Sequence, residues 1–518
     1  MKKALSLLLG SAMLTLPALA QQVDAIDPAV LQKIKQEGLQ NSKIMETAFY
    51  LTDVNGPRLS GSSGLTRAEE WAKKQLTDWG LKNATLEPWG TFGKGWEVER
   101  SYLALTKPYY QPMIGSPKAW TPSTNGQVKA EVVQVKASKD ADLAQYAGKL
   151  KGKIVMAEVS TPIKTTFEAD ASRYTDAQLQ KMAEPVQPSA GRGPISEERM
   201  AEYRARRAFM GKLAEFIQQE GAVAVLSSRS GSHGTFFTSN GASYAVDAKP
   251  ALPEFEIALE DLSRMSRLLN AGIPVEVELE SKTRFLTDDT QGYNVIAEIP
   301  GTDKKLKSEL VMLGGHIDSW HAATGATDNA AGVAVMMEAV RILKALNLQP
   351  KRTIRIALWG GEEQGLYGSR GYAKKHLGDA QTMKLLPEQA KISAYYNLDN
   401  GTGKIRGIYT QGNEALAPLF QEWLKPFADM GATTVTNRNT GGTDHLSFDA
   451  LGVPGFQFIQ DEIDYNTRTH HTNMDTYDRL QADDLKQASV IVASFVYQTA
   501  NRKDKLARKP LPQPKPQS

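Results

Sequence analysis

Four short runs in the second half of the chain carry residue types that could do chemistry together, and a fifth joins them late. LGGHIDSW at 313–320 runs an apolar segment into two glycines and sets His316 and Asp318 two apart, on one side of an extended chain. In GATDNAAGVAVMMEAV, Asp328 stands in a Gly/Ala-rich turn directly ahead of a helical pattern, where, taken alone, it reads first as a helix cap. RIALWGGEEQGLYGS at 355–369 ends a second apolar run in adjacent Glu362 and Glu363. Like charges side by side at a buried strand end are costly unless a cation is present. AYYNLDNGTG delivers Asp399, and RTHHTNMDTYDRL carries His470 and His471. Each run alone reads as a cap, a surface charge or a core histidine. Jointly they supply the imidazole and carboxylate ligands that zinc takes, with room for an open position, and a pair of zinc ions accounts for the set.

These runs need strands to end beside one another. From Tyr293 onward apolar strands alternate with helical patterns, NVIAEIPG, SELVMLGGHID, AAGVAVMMEAVRILKAL and RTIRIALWGGEE among them, ending in a helix at Ala482–Thr499. The alternation predicts an α/β fold with a largely parallel central sheet between helical layers, a three-layer sandwich. Ligands in such folds gather at the carboxyl ends of the strands. Residues 27–80 read as helices joined by a structured loop, NGPRLSGSSG at 55–64. Between Trp96 and Leu279 the pattern turns to short β-type runs, interrupted by a charged helical stretch near 167–219 whose EERMAEYRARRAFMGK reads as a solvated helix with paired charges. The expected organisation is a zinc-binding domain from 21–95 and 285–502, an inserted β-rich domain at 96–284, and a mobile Lys/Pro-rich tail at 503–518.

Composition narrows the chemistry. The 518 residues are 41% hydrophobic and 23% charged, enough for two or three folded domains. Cysteine is absent, which excludes disulfides, thiolate metal sites and cysteine nucleophiles. Residues 1–20, with Lys2 and Lys3, an apolar run and Ala18-Leu19-Ala20, have the layout of a secretory signal cleaved after Ala20, so a periplasmic or secreted protein is expected. The 61 Lys and Arg against 58 Asp and Glu become 59 against 58 after that cleavage, leaving no general field for nucleic acid. Short peptides are the expected partners, with a homodimer open and no membrane contact once the leader is gone.

GGHIDSW, GATDNAAG, WGGEEQG, NLDNGTG and HHTNMDT resemble, in order and spacing, the motifs of the co-catalytic dizinc exopeptidases, the family of secreted leucine aminopeptidases and plasma glutamate carboxypeptidase. NGPRLSGS and GTDHLSF look like the same group, and the resemblance runs from about Asp27 to Ala500. It implies that Asp328 bridges two Zn2+ ions, that His316 and Asp399 complete one, and that Glu363 and His471 complete the other. His471 is preferred because Asp475-Thr476 follows it at the family's spacing. Glu362 would stay uncoordinated as the general base on a metal-bridging water, and Asp318 would orient His316 through its free ring nitrogen. The resemblance also implies substrate contacts at His470 and at Asp444 and His445, and a protease-associated domain in the inserted segment, with LKGKIVMAEV and GAVAVLSS as its pieces. Tyr465 and His321 are candidates for lining the pocket, His233 for a surface loop and His376 for the surface. Aminopeptidase action is the favoured reading. A carboxypeptidase or dipeptidase, a one-zinc cyclase and a non-catalytic binding protein are the alternatives.

Overall fold

The computed structural model describes residues 27–159, 163–185, 196–229 and 231–514, so the expected leader at 1–20 lies outside the described residues. An eight-stranded sheet has the spatial order Lys82–Thr91, Gln291–Ile299, Thr353–Trp359, Leu310–His316, Ile392–Asn397, Gly455–Gln460, Ile405–Tyr409 and Thr434–Thr436. Its four central strands, from Thr353–Trp359 to Gly455–Gln460, run parallel, and both flanks join antiparallel. Parallel strands are covered on both faces, and every residue of Leu310–His316 and of Ile392–Asn397 is buried. Alternate residues of one strand enter opposite cores. Ile354, Ile356 and Leu358 pack beneath the helices Ala331–Ala345 and Ala482–Asn501, while Ala357 and Trp359 meet Tyr372 and Phe448 on the other side. The sandwich is therefore three layers deep, with a mixed sheet that is parallel at its centre.

A second eight-stranded sheet is built within residues 95–286. Its middle strands, Val128–Val135, Ile154–Ala157, Ala224–Ser227 and Glu254–Ile257, are also parallel, and Gly95–Lys107 pairs antiparallel with Glu276–Leu286 beside them. Helix Leu259–Asn270 covers one face through Leu262 and Met265. Helix Glu197–Gln219 covers the other, burying only Ile217 of its own residues. The charged stretch is thus solvated over most of its surface, but its beginning is strapped to the first sheet. Ser172 forms an antiparallel bridge with Ile463, and Arg173 bonds Asp461 at 3.0 Å and Asp484 at 2.7 Å.

Two expectations are corrected. The Lys/Pro-rich segment does not hang free: residues 503–514 lie along the first domain. Leu506 is buried, the Arg508 guanidinium donates to the Gln389 and Ile392 carbonyls at 2.8 and 2.7 Å, and Lys509 pairs with Asp449. One apolar residue and a few cations aimed at exposed carbonyl oxygens suffice to anchor a segment whose composition suggests mobility. His376 is not a free surface histidine either. Its ring sits between Glu87, at 2.8 Å, and Glu388, at 3.3 Å, which bond it and push its pKa up to about 9. An unfolded histidine titrates near 6.5, so the stabilisation is fully present below about pH 6.5 and is lost as pH rises through 9. A His376→Gln variant is expected to melt below the parent at pH 6 and level with it above about pH 10 in thermal scans across that range.

Candidate metal centre

Strand ends place the ligands. Leu310–His316 ends on His316, and its two glycines allow close backbone approach: a Cβ on Gly314 would lie 1.9 Å from the Ala357 carbonyl oxygen of the neighbouring strand. His316 Nδ1 donates to the Asp318 main-chain carbonyl at 3.0 Å, because a carbonyl can only accept, and this turns Nε2 toward the carboxylates. Nε2 stands 3.3 Å from Asp328 Oδ1 and 3.3 Å from Asp399 Oδ1. On the other side of Asp328, His471 Nε2 lies 3.2 Å from Oδ2 and 2.9 Å from Glu363 Oε2. The Asp328 carboxylate therefore faces two imidazoles, each backed by a further carboxylate.

The turn carrying Asp328 is held from beneath. Asp475, four residues after His471, accepts from the Thr327 and Asp328 amides at 2.6 and 3.1 Å. Arg58, buried in the loop at 55–64, donates to the carbonyls of Leu51, Ile317, Thr324 and Gly325. It braces the chain between His316 and Asp328 from a loop that the sequence marked only as structured. Burial draws its pKa down to about 10, still well above neutrality.

Asp318 departs from expectation. Its carboxylate is 3.6 Å from His316 Nδ1 and accepts instead from the Glu362 and Glu363 amides, at 3.1 and 3.2 Å, and from Ser60 Oγ at 3.0 Å. The extended strand stops at His316, so the two-residue alternation that would aim Asp318 at the same ring fails, and the side chain fixes the Glu362-Glu363 pair instead.

Of the remaining candidates, His470 is part-exposed, its ring tilted against that of His471 at 3.9 Å, and lies 4.0 Å from Asp328 Oδ2. Tyr465 packs 4.8 Å from His470, so both line the mouth of the centre. Asp444 is fully buried beside Ser369, and burial pushes its pKa up to about 7. His445 is turned to the Thr440 carbonyl, 3.2 Å from Nε2, and the described contacts leave it outside the cluster. His321 bonds the Pro117 carbonyl at 2.7 Å; burial lowers its pKa to about 4, so it stays neutral and ties the centre to the inserted domain. Sequence reasoning missed Phe237, whose ring sits 5.2 Å from His471 while Thr238 N–H bonds the His471 carbonyl. An SGSHGTFF loop offers no periodicity that would signal it.

The electrostatics ask for cations. Burial opposes charge on His316, yet Asp399 and Glu362 hold its pKa well above 6.5. Burial likewise opposes charge on His471, and Glu363 and Asp328 lift it to about 11. Burial raises Glu362 strongly and Glu363 to about 7. Glu363 Oε1 is buried without a hydrogen bond among the described residues. His316, Asp328 and Asp399 offer atoms within 4.8 Å of one another, and so do Asp328, His470 and His471. Ligands about 2 Å from a common ion stand about 3 Å apart, so this all-nitrogen-and-oxygen donor set fits zinc.

A parallel-centred sheet whose strand ends gather imidazoles and carboxylates on either side of one aspartate is the centre of a metallo-exopeptidase. The model of peptidase family M28 matches residues 294–496. Carboxypeptidase Q of Mus musculus is 28% identical over 475 residues, spanning 91% of this chain and 88% of that protein. Aminopeptidase YwaD of Bacillus subtilis is 28% identical over 203 residues, 38% of this chain and 42% of that one. The crystal structure of a peptidase M28 precursor from Shewanella amazonensis superposes with a TM-score of 0.66 at 27% identity, covering 93% of this chain and 98% of that chain.

Proposed function

We propose that the chain is a two-zinc aminopeptidase acting on short peptides, with Asp328 shared between the ions, His316 and Asp399 holding one, and Glu363 and His471 holding the other. The observation that carries this reading is Asp328, whose two oxygens face different histidines. Zinc, when bound, supplies Lewis acidity toward a scissile carbonyl and lowers the pKa of water. Glu362 is the proton acceptor. Its amide is pinned by Asp318, and its carboxylate makes no ion pair with a histidine among the described contacts, so it is free to take a proton. Burial raises its affinity for that proton, and Asp399 and Asp444 add to the effect. Trp320 and Phe237, 6.0 and 5.2 Å from the His471 ring, form apolar walls beside it. The likeness to aminopeptidase YwaD of Bacillus subtilis over 203 residues supports the aminopeptidase choice.

Carboxypeptidase or dipeptidase action is the second reading, favoured by the relatives that span most of the chain, which carry the name carboxypeptidase Q. Hydrolysis of free-amine dipeptides compared with their N-acetylated counterparts separates carboxypeptidase action from the aminopeptidase and dipeptidase readings. Cleavage confined to free amines is the expected result, and efficient cleavage of the blocked set would move the assignment to carboxypeptidase. Among the described residues no helix is long and apolar enough to cross a membrane. Export with cleavage after Ala20 is part of the proposal, and intact-mass measurement of the exported protein should find Gln21 as its first residue.

A further inference from the structure

Under helix Glu197–Gln219, against the second sheet, lies a cavity of about 530 Å³. Interiors are close-packed, and this volume is in the range of small-molecule pockets. Its lining includes Val135, Ala157 and Ser227 at the carboxyl ends of parallel strands, where ligands of α/β sheets bind. The helix contributes Met210, Leu213 and Ile217 as an apolar wall. The opposite wall is polar. Glu256 is 2% exposed, and among the described residues its Oε1 has no hydrogen-bond partner and Ser228 Oγ has none either. Lys118 does not satisfy Glu256, because it bonds Glu254 at 2.8 Å and stays 3.7 Å from the other Glu256 oxygen. Arg229 also lines the cavity, exposed and without an ion pair among the described residues, its guanidinium resting 4.7 Å from the Phe237 ring. None of the metal-centre residues lines this space.

We propose that this cavity binds a free apolar α-amino acid, with its ammonium group on Glu256 and Ser228, its carboxylate on Arg229 and its side chain against Met210, Leu213 and Ile217. The three features answer the three parts of such a zwitterion, and no single-headed molecule uses them all. Burial holds the Glu256 pKa above its ordinary value, and an ammonium group beside it would restore the carboxylate.

Calorimetry of the zinc-loaded enzyme with L-leucine, 3-methylbutylamine and 4-methylpentanoate tests the proposal. Leucine should bind, and each single-headed analogue should bind about tenfold more weakly, the loss expected for one charge-assisted hydrogen bond. Leu213→Trp, which fills the space, should abolish leucine binding, and Glu256→Gln should weaken it about tenfold, with peptidase kcat unchanged in both. Should Leu213→Trp fail to fold, Met210→Trp fills the same space from an exposed position. Failure of leucine to bind the parent would overturn the proposal. So would binding that survives both the filling and the Glu256 substitution, which would put leucine at the metal centre, or 4-methylpentanoate binding as tightly as leucine.

Discussion

A Glu362→Gln enzyme is expected to keep its full metal content and to lose turnover by about three orders of magnitude, the range of a positioned general base. Glutamine matches the shape of the side chain and keeps the main-chain bond to Asp318, so the loop geometry survives. What disappears is the proton acceptor. Burial and the neighbouring carboxylates that make Glu362 reluctant to ionise also make it a stronger base once ionised, so replacing it removes a tuned group. Steady-state kinetics read together with metal analysis decide the matter. Metal lost in parallel with activity would make Glu362 a ligand and contradict its role.

Asp328→Asn should cost more, because one substitution weakens both halves of the centre. The aspartate lies 3.3 Å from His316 and 3.2 Å from His471, and its carboxylate offsets both imidazoles. An amide contributes one neutral oxygen, so bound zinc should fall below one ion per chain and activity to background. His471→Ala should spare the His316 and Asp399 side and retain about one ion. Metal retained at the parent level in Asp328→Asn would show that the two sides do not share it.

Much of this centre was legible because it follows strand periodicity. Apolar runs that end in Gly-Gly or Asn-Leu-Asp announce where a strand stops, and in a parallel sheet those stops converge. His316, Glu363 and Asp399 came from that logic. Asp328 and His471 sit in turns, so the residues alone left them as a cap and as one of two histidines. Contact with Glu363 at 2.9 Å distinguishes His471 from His470. The bonds of Asp318 to the Glu362 and Glu363 amides were not legible because periodicity says nothing about the residue just beyond a strand. Arg58, Phe237 and the docked segment at 503–514 were illegible for a related reason. Their roles depend on carbonyls, rings and surfaces that lie far away in the chain and carry no local pattern.

The most direct test of the shared carboxylate is a zinc-edge anomalous difference map from crystals of the zinc-loaded enzyme. Two peaks flanking Asp328 are predicted, one beside His316 and Asp399 and the other beside Glu363 and His471. A single peak, or two peaks of which either lies away from Asp328, would contradict the account.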